Sequence, residues 1–117
     1  MIRFAAIVLL AFSFACHRAE RHPALGDPVR GKAAIDRYGC ASCHEIPGFP
    51  GAHGMVGPSL RHLASRPTLA GTVPNTPDKL VQWLQNPPAL APRTSMPNLG
   101  VTPRDASDMA AYLETLR

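Results

Sequence analysis

Large aromatic side chains are scarce in this chain of 117 residues. Phe4, Phe12 and Phe14 lie in an apolar N-terminal stretch that resembles a leader sequence. The rest of the chain carries only the following aromatic residues: Tyr38, Phe49, Trp83 and Tyr112. A small domain with so few large side chains often needs a disulfide, a metal or another staple. The scarcity therefore favours a large apolar group as part of the core.

Two sequence patterns are absent, and each absence argues against a class of protein. No run alternates polar and apolar side chains, and no Asn-Gly or Asp-Gly pair occurs, so no β-hairpin is predicted. No run of Lys or Arg is interleaved with aromatic residues, so the formal net charge of +4 gives no support for nucleic-acid binding. The prediction that remains is one all-α domain.

The first residues have the features of an export signal. An apolar run over residues 4–15, broken only by Ser13, is shorter than the ~20 apolar residues that span a bilayer. We therefore predict a signal peptide over residues 1–15 and an exported, periplasmic protein. Residues 16–26 are then predicted to be a lipidated N-terminus and tether, with the lipid on Cys16. Ser13 stands where a lipidation motif usually has Leu, so a spare thiol is the alternative.

The folded domain is predicted over residues 27–117, and three of its segments share the same helix start. Each has an N-capping side chain directly before a proline at the first helical position. The pairs are Asp27-Pro28, Thr76-Pro77 and Thr102-Pro103. The first helix should end at Gly39, which suits a left-handed cap. The second should end near Asn86, because the prolines that follow cannot continue it. A further short helix is predicted after Pro58.

Two long segments are left as loops. Residues 45–57 are rich in Gly and Pro, and residues 87–101 are rich in Pro. Long loops in a small domain are usually functional. Both are expected to wrap around a bound group.

The segment Cys40-Ala41-Ser42-Cys43-His44 is the most specific motif in the chain. Two cysteines at this spacing match the two vinyl groups of haem, and the histidine that follows can bind the iron. A thioredoxin-like dithiol would need a βαβ setting, and a zinc site would need a second Cys or His pair; the sequence offers neither. A plain disulfide would leave His44 unexplained. We therefore predict one haem c attached through Cys40 and Cys43, with His44 as an iron ligand.

With this motif included, the order of segments resembles the class I c-type cytochromes over nearly all of residues 27–117. The matching segments are the first helix leading into the motif, Gly57-Pro58-Ser59-Leu60, the helix of Trp83, and Met96 ahead of a last helix that contains Tyr112. The resemblance implies a small cytochrome c fold of three to five helices wrapped around one covalently bound haem.

The resemblance also implies roles for single residues. His44 resembles the proximal ligand, and Pro58 resembles the residue whose carbonyl accepts the other ring N–H of that histidine. Met96 resembles the distal ligand, and a His/Met pair suits electron transfer. Trp83 resembles the helix tryptophan that donates its indole N–H toward a haem propionate, with plain core packing as the alternative.

Other side chains could compete with Met96 for the distal position. They are Met55, Met109, His53 and His62. Met55 follows the haem motif too closely to reach the opposite face of the haem. Met109 lies on the apolar face of the last helix, where a methionine usually fills the core. Either histidine is as easily a surface residue.

The expected function is the transfer of single electrons rather than an enzymatic reaction, because an iron with both axial positions filled cannot readily bind a substrate. The resemblance extends to the cytochrome c domains that accompany haem-copper oxidases. It therefore implies redox partners such as a terminal oxidase or another bacterial respiratory complex. Candidates for a charged docking face are Arg61, Arg66, Lys79 and Arg93. The alternatives are a haem enzyme or gas-binding protein with a labile distal ligand, and a thiol-redox or zinc protein.

Overall fold

The structure, a computed structural model, describes residues 26–117. The predicted signal peptide and the predicted lipid site at Cys16 lie outside the described residues. Within the described part there are four α-helices: α1 (Pro28–Arg37), α2 (Pro77–Gln85), α3 (Pro87–Leu90) and α4 (Pro103–Leu113). Single 3-10 turns span Cys40–Ser42 and Leu63–Ser65, and two short strands, β1 (Thr68–Leu69) and β2 (Val73–Pro74), pair with each other. The all-α prediction is confirmed.

The predicted starts of α1, α2 and α4 are also confirmed. The side chains of Asp27, Thr76 and Thr102 each accept a hydrogen bond from the backbone N–H three residues later. These bonds satisfy N–H groups that have no partner inside the helix. Gly39, just beyond α1, has φ of 72°, as expected for a left-handed cap. Local sequence therefore determines where three of the helices lie.

The segment over residues 87–101 is not wholly a loop, contrary to expectation. Pro87 and Pro88 end α2, as predicted, but they also occupy the first turn of α3. A proline is suited to that position because its missing N–H would have no helical partner there. The loop is therefore shortened at its start, and its remaining part begins at Ala91.

Two other local features differ from the expectation. Leu69 pairs with Val73 across a turn in which Ala70 and Gly71 have φ of 48° and 75°. Turns with positive φ at both central positions usually use Asn-Gly or a similar pair, so the sequence carries no obvious signal for this one. The predicted helix after Pro58 is reduced to the turn Leu63–Ser65, because the residue before Pro67 is extended.

The first and last helices, α1 and α4, pack closely together. A Cβ at Gly31 would lie 1.9 Å from the carbonyl oxygen of Asp108, so only glycine permits this approach of the two backbones. α2 also packs against α4. Ile35, Leu80 and Met109, one from each of these helices, are almost fully buried in the core that they share. Within residues 26–117 no helix is long and apolar enough to cross a membrane.

Asp108 ties the start of the domain to α4. Its carboxylate is only 3 % exposed and accepts hydrogen bonds from the backbone N–H of Asp27 at 2.7 Å and from Nε of Arg30 at 2.8 Å. The bond from Arg30 lowers the pKa of this carboxyl. A buried carboxylate is costly unless it is paired and hydrogen-bonded, and here both conditions are met. The chain is therefore fixed to α4 from Gly26 onward.

Candidate functional site

A cavity of about 290 Å³ lies between the core helices and the two long loops. Part of its lining consists of apolar side chains of α1, α2 and α4. These are Ile35, Leu80, Trp83, Leu84, Met109 and Leu113. Residues 56 and 57 from one long loop and 94–97 from the other also line the cavity, together with Pro58 and several residues between Leu60 and Ala70. Both loops thus contribute to the same wall, as their expected role requires.

Cys40, Cys43 and His44 all line this cavity. They come together because the chain leaves α1 through the left-handed Gly39 and then makes a 3-10 turn over Cys40–Ser42. The backbone N–H groups of Cys43 and His44 both donate to the carbonyl of Cys40, at 3.2 and 3.0 Å. The turn therefore presents two thiols and one imidazole to a single apolar space.

The imidazole of His44 has a fixed orientation. Its Nδ1 lies 2.7 Å from the carbonyl oxygen of Pro58, and because a carbonyl can only accept, Nδ1 must carry the proton. Nε2 is then left with a free lone pair, which is the state a metal ligand needs. Gly57 packs against the ring: a Cβ there would lie 2.3 Å from Cε1 of His44. The sequence-predicted partner, Pro58, is thus at hydrogen-bond distance.

Met96 lines the cavity from the loop after α3. Its backbone N–H donates to the hydroxyl of Thr94 at 3.2 Å, and Pro97 follows it directly. Among the competing residues, Met55, His53 and His62 are exposed and are not part of the lining. Met109 does reach the cavity, but from the buried face of α4. Met96 therefore remains the best-placed thioether on a loop.

Trp83 and Arg66 also bring polar groups to the lining of the cavity. Trp83 is buried and lines the cavity from α2, and the half-buried Arg66 lines it from the turn before β1. The guanidinium of Arg66 donates to the backbone carbonyls of Ser59 and Arg61. Arg66, a candidate for the charged docking face, is thus held against the cavity wall by these backbone carbonyls. The sequence gives no signal for this, because it depends on how the turn folds back.

The thiol-redox and zinc alternatives fit this site poorly. Burial raises the pKa of the Cys40 thiol, whereas reactive thiols have a lowered pKa. No disulfide joins Cys40 and Cys43. Among residues 26–117, no three His, Cys, Asp or Glu side chains are grouped as a metal site requires. The site is instead an apolar space with two thiols and one oriented imidazole.

That donor set fits a covalently attached haem, since two thiols can form thioethers and the free Nε2 can bind iron. Comparison with known proteins gives the same answer. The family model for cytochrome c matches residues 28–117. Cytochrome c2 of Rhodopila globiformis is 34% identical over 105 residues, which cover 79% of this chain and 95% of that protein.

A second relative is a much larger protein. Cytochrome c oxidase subunit 2 of Alkalihalophilus pseudofirmus is 26% identical over 89 residues, which cover 75% of this chain but 25% of that protein. The present chain therefore matches only a part of it.

This chain belongs to the cytochrome c family. It is a small all-α cytochrome that binds one covalent haem c and transfers electrons.

Proposed function

We propose that this cytochrome carries single electrons in a respiratory or related chain of the bacterial periplasm. In this proposal Cys40 and Cys43 hold the haem, and His44 and Met96 bind its iron. The observation that carries the proposal is that an oriented imidazole and a loop thioether line the same cavity as the two thiols. When bound, the haem iron supplies reversible one-electron oxidation.

The residues of the chain set the conditions for that exchange. The carbonyl of Pro58 holds the proton of His44 on Nδ1. Nε2 is therefore free to bind the iron, and the hydrogen bond at Nδ1 makes the imidazole a stronger ligand. A thioether from Met96 favours the reduced iron relative to a second imidazole and raises the reduction potential. Trp83 is proposed either to donate its indole N–H toward a haem propionate or to serve as core packing. The apolar walls exclude water from the iron.

The cellular setting is a further part of the proposal. Its support is the sequence of residues 1–15, which has the features of an export signal. The partners are proposed to be redox proteins such as a terminal oxidase or another respiratory complex, supported by the partial match to cytochrome c oxidase subunit 2. A lipid on Cys16 would hold the domain at the membrane surface.

The test is replacement of the distal ligand in protein made with a haem-attachment system. Met96→Ala should abolish the thioether–iron charge-transfer band of the ferric protein and let added cyanide or carbon monoxide bind much faster. The matched control is Met55→Ala, because Met55 is exposed and does not line the cavity. This control should leave both the band and the binding rates unchanged.

Two results would contradict different parts of the proposal. An unchanged spectrum in Met96→Ala would exclude Met96 as a ligand and favour a labile distal site. Absence of covalent haem in a pyridine haemochrome assay of the wild type would reject the attachment through Cys40 and Cys43 itself.

A further inference from the structure

A surface groove of about 540 Å³ lies between α1 and the loop over residues 48–52. The wall that α1 contributes is formed by Val29, Lys32, Ala33 and Asp36. These residues share one face of the helix because they are three or four positions apart. The groove has no lining residue in common with the haem cavity. It is therefore a separate feature of the surface, which the binding of haem does not explain.

Phe49 forms part of the opposite wall, and the fold holds it in place. Its ring packs edge-on against the ring of Tyr112, with the two centroids 5.8 Å apart. The hydroxyl of Tyr112 donates to the carbonyl oxygen of Pro47 at 2.8 Å, which fixes the loop to α4 next to Phe49. Nζ of Lys32 lies 5.5 Å from the centroid of the Phe49 ring. The groove is thus formed before any partner binds, and this lowers the entropy cost of binding.

Val29 is an exposed apolar side chain at one end of the groove. It is 78 % exposed. A single exposed apolar residue is ordinary on a protein surface, but this one stands beside a concave wall that includes Ala33 and Phe49. Ala41, which follows α1 in the chain, also lines the groove. One surface therefore carries both a protruding apolar side chain and a hollow that can receive one.

The charges of the groove are arranged to match an identical surface. Lys32 and Asp36 are exposed and opposite in sign, and they are about 6 Å apart along the helix axis, because an α-helix rises 1.5 Å per residue. Neither forms an ion pair with another residue in the described range 26–117. If two copies of α1 meet antiparallel across a two-fold axis, Lys32 of each copy faces Asp36 of the other. Charge complementarity thus specifies both the occupant of the groove and its direction.

We propose that this groove is the interface between two copies of the protein, related by a two-fold axis and with their α1 helices antiparallel. Two Lys32–Asp36 pairs form across the axis, and Val29 of each copy packs into the far end of the other groove, beside Ala41. An interface made by one helix face and one loop is small, so dimer and monomer are in equilibrium. Each copy keeps its own haem cavity. This inference does not depend on the proposed electron-transfer function.

The test is sedimentation equilibrium of the haem-loaded protein over a range of concentrations. Every protein in the series carries Cys16→Ser, so that neither a lipid nor a disulfide through Cys16 can hold two copies together. With the groove otherwise intact we expect a monomer–dimer equilibrium with a dissociation constant below about 1 mM.

Reversing one charge should weaken the dimer, because all the groups that face each other across the axis then include like charges. Lys32→Glu leaves two acidic groups on the groove, and Asp36→Lys leaves two basic groups. Each variant alone should raise the dissociation constant by about tenfold or more. An equimolar mixture of the two variants should form mixed dimers about as tightly as the starting protein, since every facing pair is again opposite in sign.

The apolar contact and the specificity of the charge effect are tested by two further variants. Val29→Ser should raise the dissociation constant by about tenfold or more, because the dimer loses the burial of this side chain on both sides of the axis. Arg93→Glu is the matched control: Arg93 is exposed and lines neither the groove nor the haem cavity. It changes the charge by the same amount as Lys32→Glu and should leave the dissociation constant within about twofold.

Three outcomes would overturn the inference. One is a starting protein that stays monomeric up to about 1 mM, which would leave the groove to another protein or to the preceding residues of the same chain. Another is a dimer that Lys32→Glu, Asp36→Lys and Val29→Ser all leave unchanged. The third is a mixture of the two charge variants that stays monomeric while both show the haem spectrum of the starting protein.

Discussion

Nδ1 of His44 donates a hydrogen bond to the carbonyl oxygen of Pro58 over 2.7 Å. This bond fixes the tautomer and the orientation of the ring. The backbone of Gly57 supports the same ring from one side, at a distance that excludes any side chain. The imidazole of His44, the proposed iron ligand, is therefore positioned by backbone atoms, which a change of side chain elsewhere on the surface would not disturb.

Gly57→Ala should displace the imidazole of His44. The new Cβ would lie 2.3 Å from Cε1 and 2.7 Å from Nδ1 of the ring, closer than atoms can approach. We expect a shifted or weakened His44–iron bond, visible in the absorption and magnetic circular dichroism spectra of the ferric protein.

Gly71→Ala is the control for backbone strain. Gly71 has φ of 75° with open space around its Cβ position, so alanine there costs about 1–2 kcal/mol without touching the ring. Stability should fall while the ligand spectrum stays the same. If Gly57→Ala also left the spectrum unchanged, the ring contact would not matter to ligation.

Gly31→Ala sets two effects of opposite sign against each other. Alanine favours a helix by up to about 1 kcal/mol over glycine, but its Cβ would meet the backbone of α4 at 1.9 Å. Moving two packed helices apart costs about 1–3 kcal/mol, so the free energy of unfolding should decrease. Denaturant titration measures it. Ala33 is exposed on the same helix. Ala33→Gly should therefore lower the free energy of unfolding only by the difference in helix propensity between alanine and glycine.

The Arg30–Asp108 pair predicts how stability depends on pH. Because the pKa of Asp108 is lowered in the folded protein, its contribution is fully present above the unfolded value of about 3.9 and is lost as pH falls through the folded value. Asp108→Asn should therefore unfold at lower denaturant concentration than the wild type near neutral pH, with the gap narrowing below about pH 4.

Asp36→Asn, exposed on α1, is the comparison for the loss of one carboxylate. It should follow the wild type closely over the whole pH range. A gap for Asp108→Asn that stayed constant down to pH 2 would mean that the charge of Asp108 is not what stabilises the fold.

Asn75 should be important for the turn that carries Arg66. Its Nδ2 donates to the carbonyls of Leu63 and Arg66 at 2.8 and 2.9 Å, whereas its buried Oδ1 has no hydrogen-bond partner among the described residues. Asn75→Ala leaves the carbonyl of Arg66 without a donor, whereas the carbonyl of Leu63 still accepts from the backbone N–H of Arg66. One unsatisfied buried group costs about 1–3 kcal/mol, and we expect a loss of that size in the free energy of unfolding.

The readout for this variant is thermal or denaturant unfolding of the haem-loaded protein. Gln82→Ala, exposed on α2, should change stability by less than about 0.5 kcal/mol. Equal stability of Asn75→Ala and the wild type would show that water replaces both lost bonds.

Those parts of the fold that depend on near neighbours in sequence were predictable. Asp27, Thr76 and Thr102 mark their helices because a cap bonds to a backbone three residues away. The haem motif is equally local, since both thiols and the imidazole lie within one turn. Proposing Met96 as the second iron ligand required a resemblance to known cytochromes, because no residue near it in the sequence specifies what its side chain contacts.

Features made by distant pairs were not predictable. Asp108 lies on the buried face of α4, where a carboxylate is unexpected, and its partners Asp27 and Arg30 are about 80 residues away. The inward turn of Arg66 depends on carbonyls that only the folded loop presents. The short β1–β2 ladder uses Ala70 at a position where Asn is usual, so its turn carried no recognisable signal.

The packing of α1 against α4 affects how the domain folds and unfolds. The bonds from Gly26 and Asp27 to Ser107 and Asp108 span 81 residues, so they form only when nearly the whole domain is in place. Contacts between residues so far apart in the sequence slow folding. Because Met109 and Leu113 of α4 also line the haem cavity, the ends of the domain and the pocket should unfold as one unit, with amides of α1 and α4 exchanging at the same free energy.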